Sequence, residues 1–178
     1  MMKSEIDSAP IGSFSGCHSG IIEHMDAFAR LPALLKPAED ARSIAASTQQ
    51  FFRDVVFTHH QEEERELFTA VMSSATDGEE SEQVRAIITR LTAEHRELER
   101  CWASLEPQLK KVARGELAKV DAQAIEQLTA GYKAHADYEE REFLPLAEKI
   151  LGRNADHMAA LGMSLHMRRS SKRAVGYI

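Results

Sequence analysis

The sequence predicts an all-α protein: an antiparallel, up-down-up-down four-helix bundle with an additional short C-terminal helix. Three observations predict it. Apolar residues recur at steps of three and four through four long segments. Clusters of turn formers separate those segments. No stretch has the alternating, β-branched pattern of a strand. The 178 residues suit one domain with a sizeable core, and 43% hydrophobic with 28% charged residues is ordinary for a soluble globular protein.

Residues 1–12 carry Pro10 and Gly12 without a clear period, which predicts an irregular lead-in before a bundle over residues 13–151. The first helix is expected from about Ser13 to Leu35, with His18, Ile21, Ile22, Met25, Phe28, Leu31 and Leu35 on one stripe. Pro32 and Pro37 predict a kink or an end near Arg30 to Lys36. The second helix, from about Asp40 to Ser73, has Ile44, Phe51, Phe52, Val55, Val56, His59, Glu63, Leu67 and Ala70 in phase; Ser73 to Gly78 break it.

The third helix runs from about Glu79 to Ala113 and has the cleanest stripe: Val84, Ile88, Leu91, His95, Leu98, Trp102, Leu105 and Leu109. Pro107 predicts a bend late in it, and Gly115 a stop. The fourth, from about Val120 to Leu151, carries Ile125, Leu128, Tyr132, His135, Glu139, Phe143 and Leu146, with a kink at Pro145 and Gly152 as C-terminal cap. Residues 152–178 hold a short amphipathic segment, about Asp156 to Met167, and a basic tail, Arg168 to Arg173.

Several function classes are excluded. A formal charge of −6 opposes a general nucleic-acid binder, and no apolar run approaches the ~20 residues that span a bilayer. The first ten residues lack the basic flank and apolar run of a signal peptide, so a cytoplasmic protein is expected. Cys17 and Cys101 form neither a disulfide framework nor a CxxC pair. There is no HExxH, no phosphate-cradling glycine loop and no nucleophile elbow.

One stretch is written twice. His59-His60-Gln61-Glu62-Glu63-Glu64-Arg65-Glu66-Leu67-Phe68 recurs as His135-Ala136-Asp137-Tyr138-Glu139-Glu140-Arg141-Glu142-Phe143-Leu144, 76 residues on from His59 to His135. Residues four apart share a helix face, so each copy sets an imidazole beside a carboxylate. Buried carboxylates need a partner, and two of them among inward histidines are reconciled by metal. Four His and two Glu describe a dinuclear site: His18, His59, Glu63, His95, His135 and Glu139.

Competing residues stand close by. His24 rivals His18 on the first helix but sits toward the edge of the stripe. His60 and Glu64 form the same spacing turned by about 100°; the match to His135 and Glu139 selects His59 and Glu63, leaving His60 and Glu64 behind the ligands or on the surface. Glu99 is expected to be solvated. Tyr132 and Tyr138 read as core, Cys17 as a buried small hydrophobe, and His157 and His166 lack a matching carboxylate.

Carried by His18, His59, Glu63, His95, His135 and Glu139, the pattern His…His-x-x-x-Glu…His…His-x-x-x-Glu resembles the hemerythrin-like, or HHE cation-binding, family. It is similar in motif to the branch that repairs iron–sulfur clusters or responds to nitric oxide. The resemblance implies two non-haem iron ions bridged by the two glutamates, with zinc or manganese as substitutes. Oxygen carriers of the family have a second histidine on the third helix, where this chain has Glu99. That departure argues against reversible oxygen carriage and leaves room for a small diatomic ligand or peroxide as partner.

The function expected is therefore a di-iron protein that reacts with or senses oxygen, nitric oxide or peroxide, or assists iron-centre repair. Its rivals are a di-iron oxidase or peroxide-consuming enzyme at the same centre, and a metal-free helical interaction module.

Overall fold

The computed structural model describes the backbone from Ala9 to Arg153 and the side chains from Ser19 onward. Over those residues the chain is a helical bundle with no strand. Its helices are α1 (Ala9–Ala29), α2 (Leu31–Phe51), α3 (Phe57–Glu62), α4 (Phe68–Ser74), α5 (Glu79–Ala113), α6 (Ala122–Tyr138) and α7 (Leu144–Leu151). Three π-turns join them end to end: Phe52–Val56 and Glu63–Leu67 within the second long helix, and Glu139–Phe143 within the last. In each, the residue after the turn donates its N–H five residues back: Phe57 to Phe52, Phe68 to Glu63 and Leu144 to Glu139.

The connections follow from local chemistry. Gly78 at φ 98° and Gly115 at φ 73° take the left-handed backbone that side chains disfavour, and they bound α5. Glu79, Glu80 and Glu82 sit in the first turn of α5 and Lys110 and Lys111 in its last, which suits the helix dipole. Asp121 caps α6 by accepting from the Gln123 and Ala124 N–H groups. Glu80 accepts from Thr76 and from Arg153 Nη1 at 2.8 Å, which ties the turn before α5 to the end of α7.

The prolines act differently from their expected effect. Pro10 is the second residue of α1, where a missing N–H costs nothing, so the helix starts inside the expected lead-in. The expected kink between the first two helices contracts to one residue, Arg30, whose N–H bonds Ala27 O at 3.2 Å. Pro32 lies in the first turn of α2 and Pro37 inside it, so no loop separates α1 from α2. Pro107 lies within an uninterrupted α5, and Pro145 in the first turn of α7 directly after a π-turn. The segment expected over 156–167, the basic tail, His157 and His166 lie outside the described residues.

Two apolar clusters form the core. Phe68, Val71, Val84, Ile87, Leu91, Phe143, Ala147, Ile150 and Leu151 pack at one end, with Phe68 and Phe143 edge to face at 4.9 Å. Leu98, Trp102, Leu105 and Leu128 pack at the other, where Phe52 stacks on Trp102 at 3.9 Å. Along α5 the stripe reads Leu91, His95, Leu98, so a polar layer lies between the two clusters. That layer is the candidate site. Other expected core residues are exposed: Ile21, Ile22, Met25, Phe28 and Leu35 along α1 and α2, then Ile44, Phe51 and Ile125. A stripe establishes an apolar face and leaves open what that face meets; here α1 extends α2 instead of folding back.

Candidate metal centre

The buried polar residues of the core are His60, Glu63, His95, His135 and Glu139. They arrive from three directions: His60 and Glu63 from α3 and the π-turn after it, His95 from α5, and His135 and Glu139 from α6 and its π-turn. Both repeats of Glu-Glu-Arg-Glu fold as π-turns that begin at the inward glutamate, so the duplicated sequence is a duplicated backbone distortion.

The ligand atoms fall into two adjoining groups. His60, His95 and His135 bring one ring nitrogen each within 4.8 Å of the others; so do His59, Glu63 and Glu139 with their own donor atoms. Glu63 stands between the groups, with Oε1 2.9 Å from His59 Nε2 and Oε2 3.3 Å from His95 Nε2. The rings of His60 and His95 stack at 3.9 Å, and His135 stands edge-on to His95 at 4.8 Å.

Four buried atoms here make no well-formed hydrogen bond: Nε2 of His60 and of His135, and the pair His95 Nε2 and Glu63 Oε2, which face each other at 3.3 Å. Stranded polar atoms in an apolar core are costly, and three imidazole nitrogens with a carboxylate oxygen are a metal's donor set. The outward Nδ1 atoms are satisfied. His95 Nδ1 lies 2.9 Å from Glu64, His135 Nδ1 3.1 Å from Glu94 and His60 Nδ1 3.3 Å from Glu99.

The electrostatics are divided. Burial, and the Glu63 carboxylate beside it, push Glu139 up to about 7. Glu63 is also desolvated, but hydrogen bonds from His59 and His95 outweigh this and hold it well below the usual carboxylate range. Burial and the neighbouring His95 lower His60 to about 4. Glu64 and Glu94 lie below their ordinary values because bonds from His95 with Arg96, and from Arg90 with His135, outweigh desolvation. Tyr132 is raised by burial and by the charges of Glu63 and Glu139. Its ring lies 6.3 Å from that of His60 and 6.1 Å from that of His135, and it also lines an apolar cavity of about 580 Å³ with Phe52, Val56, Trp102 and Leu128.

Of the expected residues, His59, Glu63, His95, His135 and Glu139 lie together in this layer. The side chain of His18 lies outside the described residues, as does that of Cys17, and the rival His24 is exposed on α1. His60 corrects the expectation that placed it behind the ligands or on the surface: it is 1% exposed, whereas the His59 side chain is 47% exposed. The reason is the π-turn Phe52–Val56, which adds a residue to one turn and rotates the helix so that the residue after His59 points inward. Glu99 is also corrected, being half-buried and bonded to His60 instead of solvated. The sequence did hold a signal for His60, which lies four residues after Val56 and three before Glu63.

Residues 10–147 match the hemerythrin HHE cation binding domain. No match is found among curated proteins or among solved structures.

Proposed function

The chain belongs to the hemerythrin HHE cation-binding family, and from that premise we propose that its polar layer holds two iron ions in adjoining positions. His60, His95 and His135 form one position; His59, Glu63 and Glu139 form the other. Glu63, whose two oxygens face the two groups, would contribute to both positions. The family pattern would add His18, whose side chain lies outside the described residues. The observation that carries this reading is the set of four buried donor atoms in one layer that make no well-formed hydrogen bond.

Iron held there would supply redox chemistry toward a diatomic ligand or peroxide. The chain's own contribution is orientation and exclusion of water. The apolar clusters on either side keep the layer dry, which strengthens every charge interaction within it. Exposed His59 is the open side of the second position. Tyr132 separates the histidines from an apolar cavity, a route that suits oxygen and nitric oxide better than peroxide. The function we favour is thus reaction with, or sensing of, a small diatomic ligand, with assistance to iron-centre repair as the alternative use of the same centre.

Iron analysis of protein purified without added metal tests the reading. About two irons per chain, with an optical spectrum that changes on exposure to oxygen or nitric oxide, is the expected result. A protein that binds one metal or none at saturation overturns it.

A further inference from the structure

Three carboxylates that face no ligand position stand directly behind three imidazoles. Glu64 meets His95 Nδ1 at 2.9 Å, Glu94 meets His135 Nδ1 at 3.1 Å and Glu99 meets His60 Nδ1 at 3.3 Å. Each is anchored on its outer side by an arginine. Arg96 binds both Glu64 and Glu99, and Arg90 binds Glu94 at 2.7 Å while lying 3.5 Å above the Tyr138 ring. His59 has no carboxylate behind it among the described residues; its carboxylate partner is Glu63, which is itself a ligand candidate.

An ionised carboxylate only accepts hydrogen bonds, so the imidazole facing it carries its proton on Nδ1. The Nε2 lone pair is then left pointing the other way. Those three buried Nε2 atoms make no well-formed hydrogen bond; that of His95 has Glu63 Oε2 3.3 Å away. We infer that Glu64, Glu94 and Glu99 are positioning residues that lock this tautomer, making the His60, His95 and His135 position the tighter of two metal positions and the first to fill.

The order of filling follows from preparation. In the three-histidine position every ring has its tautomer and orientation fixed before a metal arrives, and loss of such an outer partner typically costs about 10–100-fold in metal affinity. In the other position His59 is half exposed and paired with Glu63 at 2.9 Å, a closer contact than the 3.3 Å from Glu63 to His95, so the metal must part the tighter pair. The second ion is the exchangeable one. This inference rests on the metal-binding reading above.

The test uses the full chain, metal-free, with the pH raised until the ring shifts no longer change, because the carboxylates around His95 and His59 hold their protonation above the ordinary imidazole range. Nitrogen chemical shifts of the histidine rings report the tautomers, and a Co²⁺ titration followed by visible absorption reports the two affinities. We expect His60, His95 and His135 to be protonated on Nδ1, and two resolved Co²⁺ steps. Glu64→Ala, Glu94→Ala and Glu99→Ala should each free the tautomer of one ring and weaken the first step about 10–100-fold. The matching Gln variants keep an acceptor and should recover most of that loss; they also replace any Ala variant that fails to fold.

Protonation on Nε2 in the wild-type protein, or a first step unchanged in the Ala variants, overturns the inference. Failure of the wild-type protein to bind Co²⁺ at all overturns the metal reading and the order of filling. The tautomers, read without metal, still decide the positioning role.

Discussion

The two copies of the repeated stretch share five identical residues, two large apolar positions and one backbone distortion, yet they are not superimposable by sequence. The glutamates that turn inward, Glu63 and Glu139, are 76 residues apart, as the repeat dictates. The buried histidines, His60 and His135, are 75 apart, and so are the buried phenylalanines, Phe68 and Phe143. The first copy is therefore slipped by one residue on both sides of its glutamate. The slip gives the first copy two useful histidines, one buried and one exposed, where the second copy has one. It also separates the carboxylates: Glu63, bonded by His59 and facing His95, stays ionised, while burial and the charge of Glu63 keep a proton on Glu139 up to about 7.

The slip is broken most severely in the core. Phe143→Ala and Phe68→Ala should each cost about 3–5 kcal/mol, whereas the sequence-equivalent partners cost less: Leu144, already 36% exposed, should lose under about 1 kcal/mol on truncation to Ala. Denaturant unfolding of the four variants, with Leu67→Ala as the fourth, would restore the 76-residue register if Leu144 and Phe68 proved the matched, costly pair.

The histidines sharpen the comparison next. His60→Ala should weaken the first metal equivalent by more than about 100-fold, beyond the loss of an outer partner, and His59→Ala should leave that equivalent in place while weakening the second. Equal losses of both equivalents in the two variants would refute the division into two positions.

The smallest effect concerns protons. Below about pH 7 the metal-free protein holds a proton on Glu139 that the metal-bound form must release, so affinity falls as pH falls. Glu63, already ionised, adds nothing in that window. At pH 6, Glu139→Gln should release about one proton fewer per metal-loading event than the wild-type protein, as read by calorimetry in two buffers. An unchanged proton count would place the shared proton elsewhere.

What the sequence disclosed and what it hid divide along physical lines. The helical class was legible because Val84, Leu91, Leu98, Trp102 and Leu105 keep one phase on α5, and all five are buried. His95, Glu63 and Glu139 were legible because an inward polar residue on such a stripe demands an explanation. His60 was hidden because a stripe counted at 3.6 residues per turn assumes a uniform helix, and a π-turn spends an extra residue without leaving a compositional mark. The exposure of α1 was hidden for another reason: Pro32 and Pro37 read as breaks, yet Pro32 falls in a first turn, where proline is tolerated.

The π-turn at Glu63–Leu67 has a consequence for how this helix tolerates change. By holding five residues in one turn it works as a clutch between two shafts, letting the stretch before it be indexed to the metal layer and the stretch after it to Phe68 and Val71 in the core. Removing one residue inside the turn engages the clutch. One shaft must then turn by about 100°, and either the histidines or the phenylalanine loses its place.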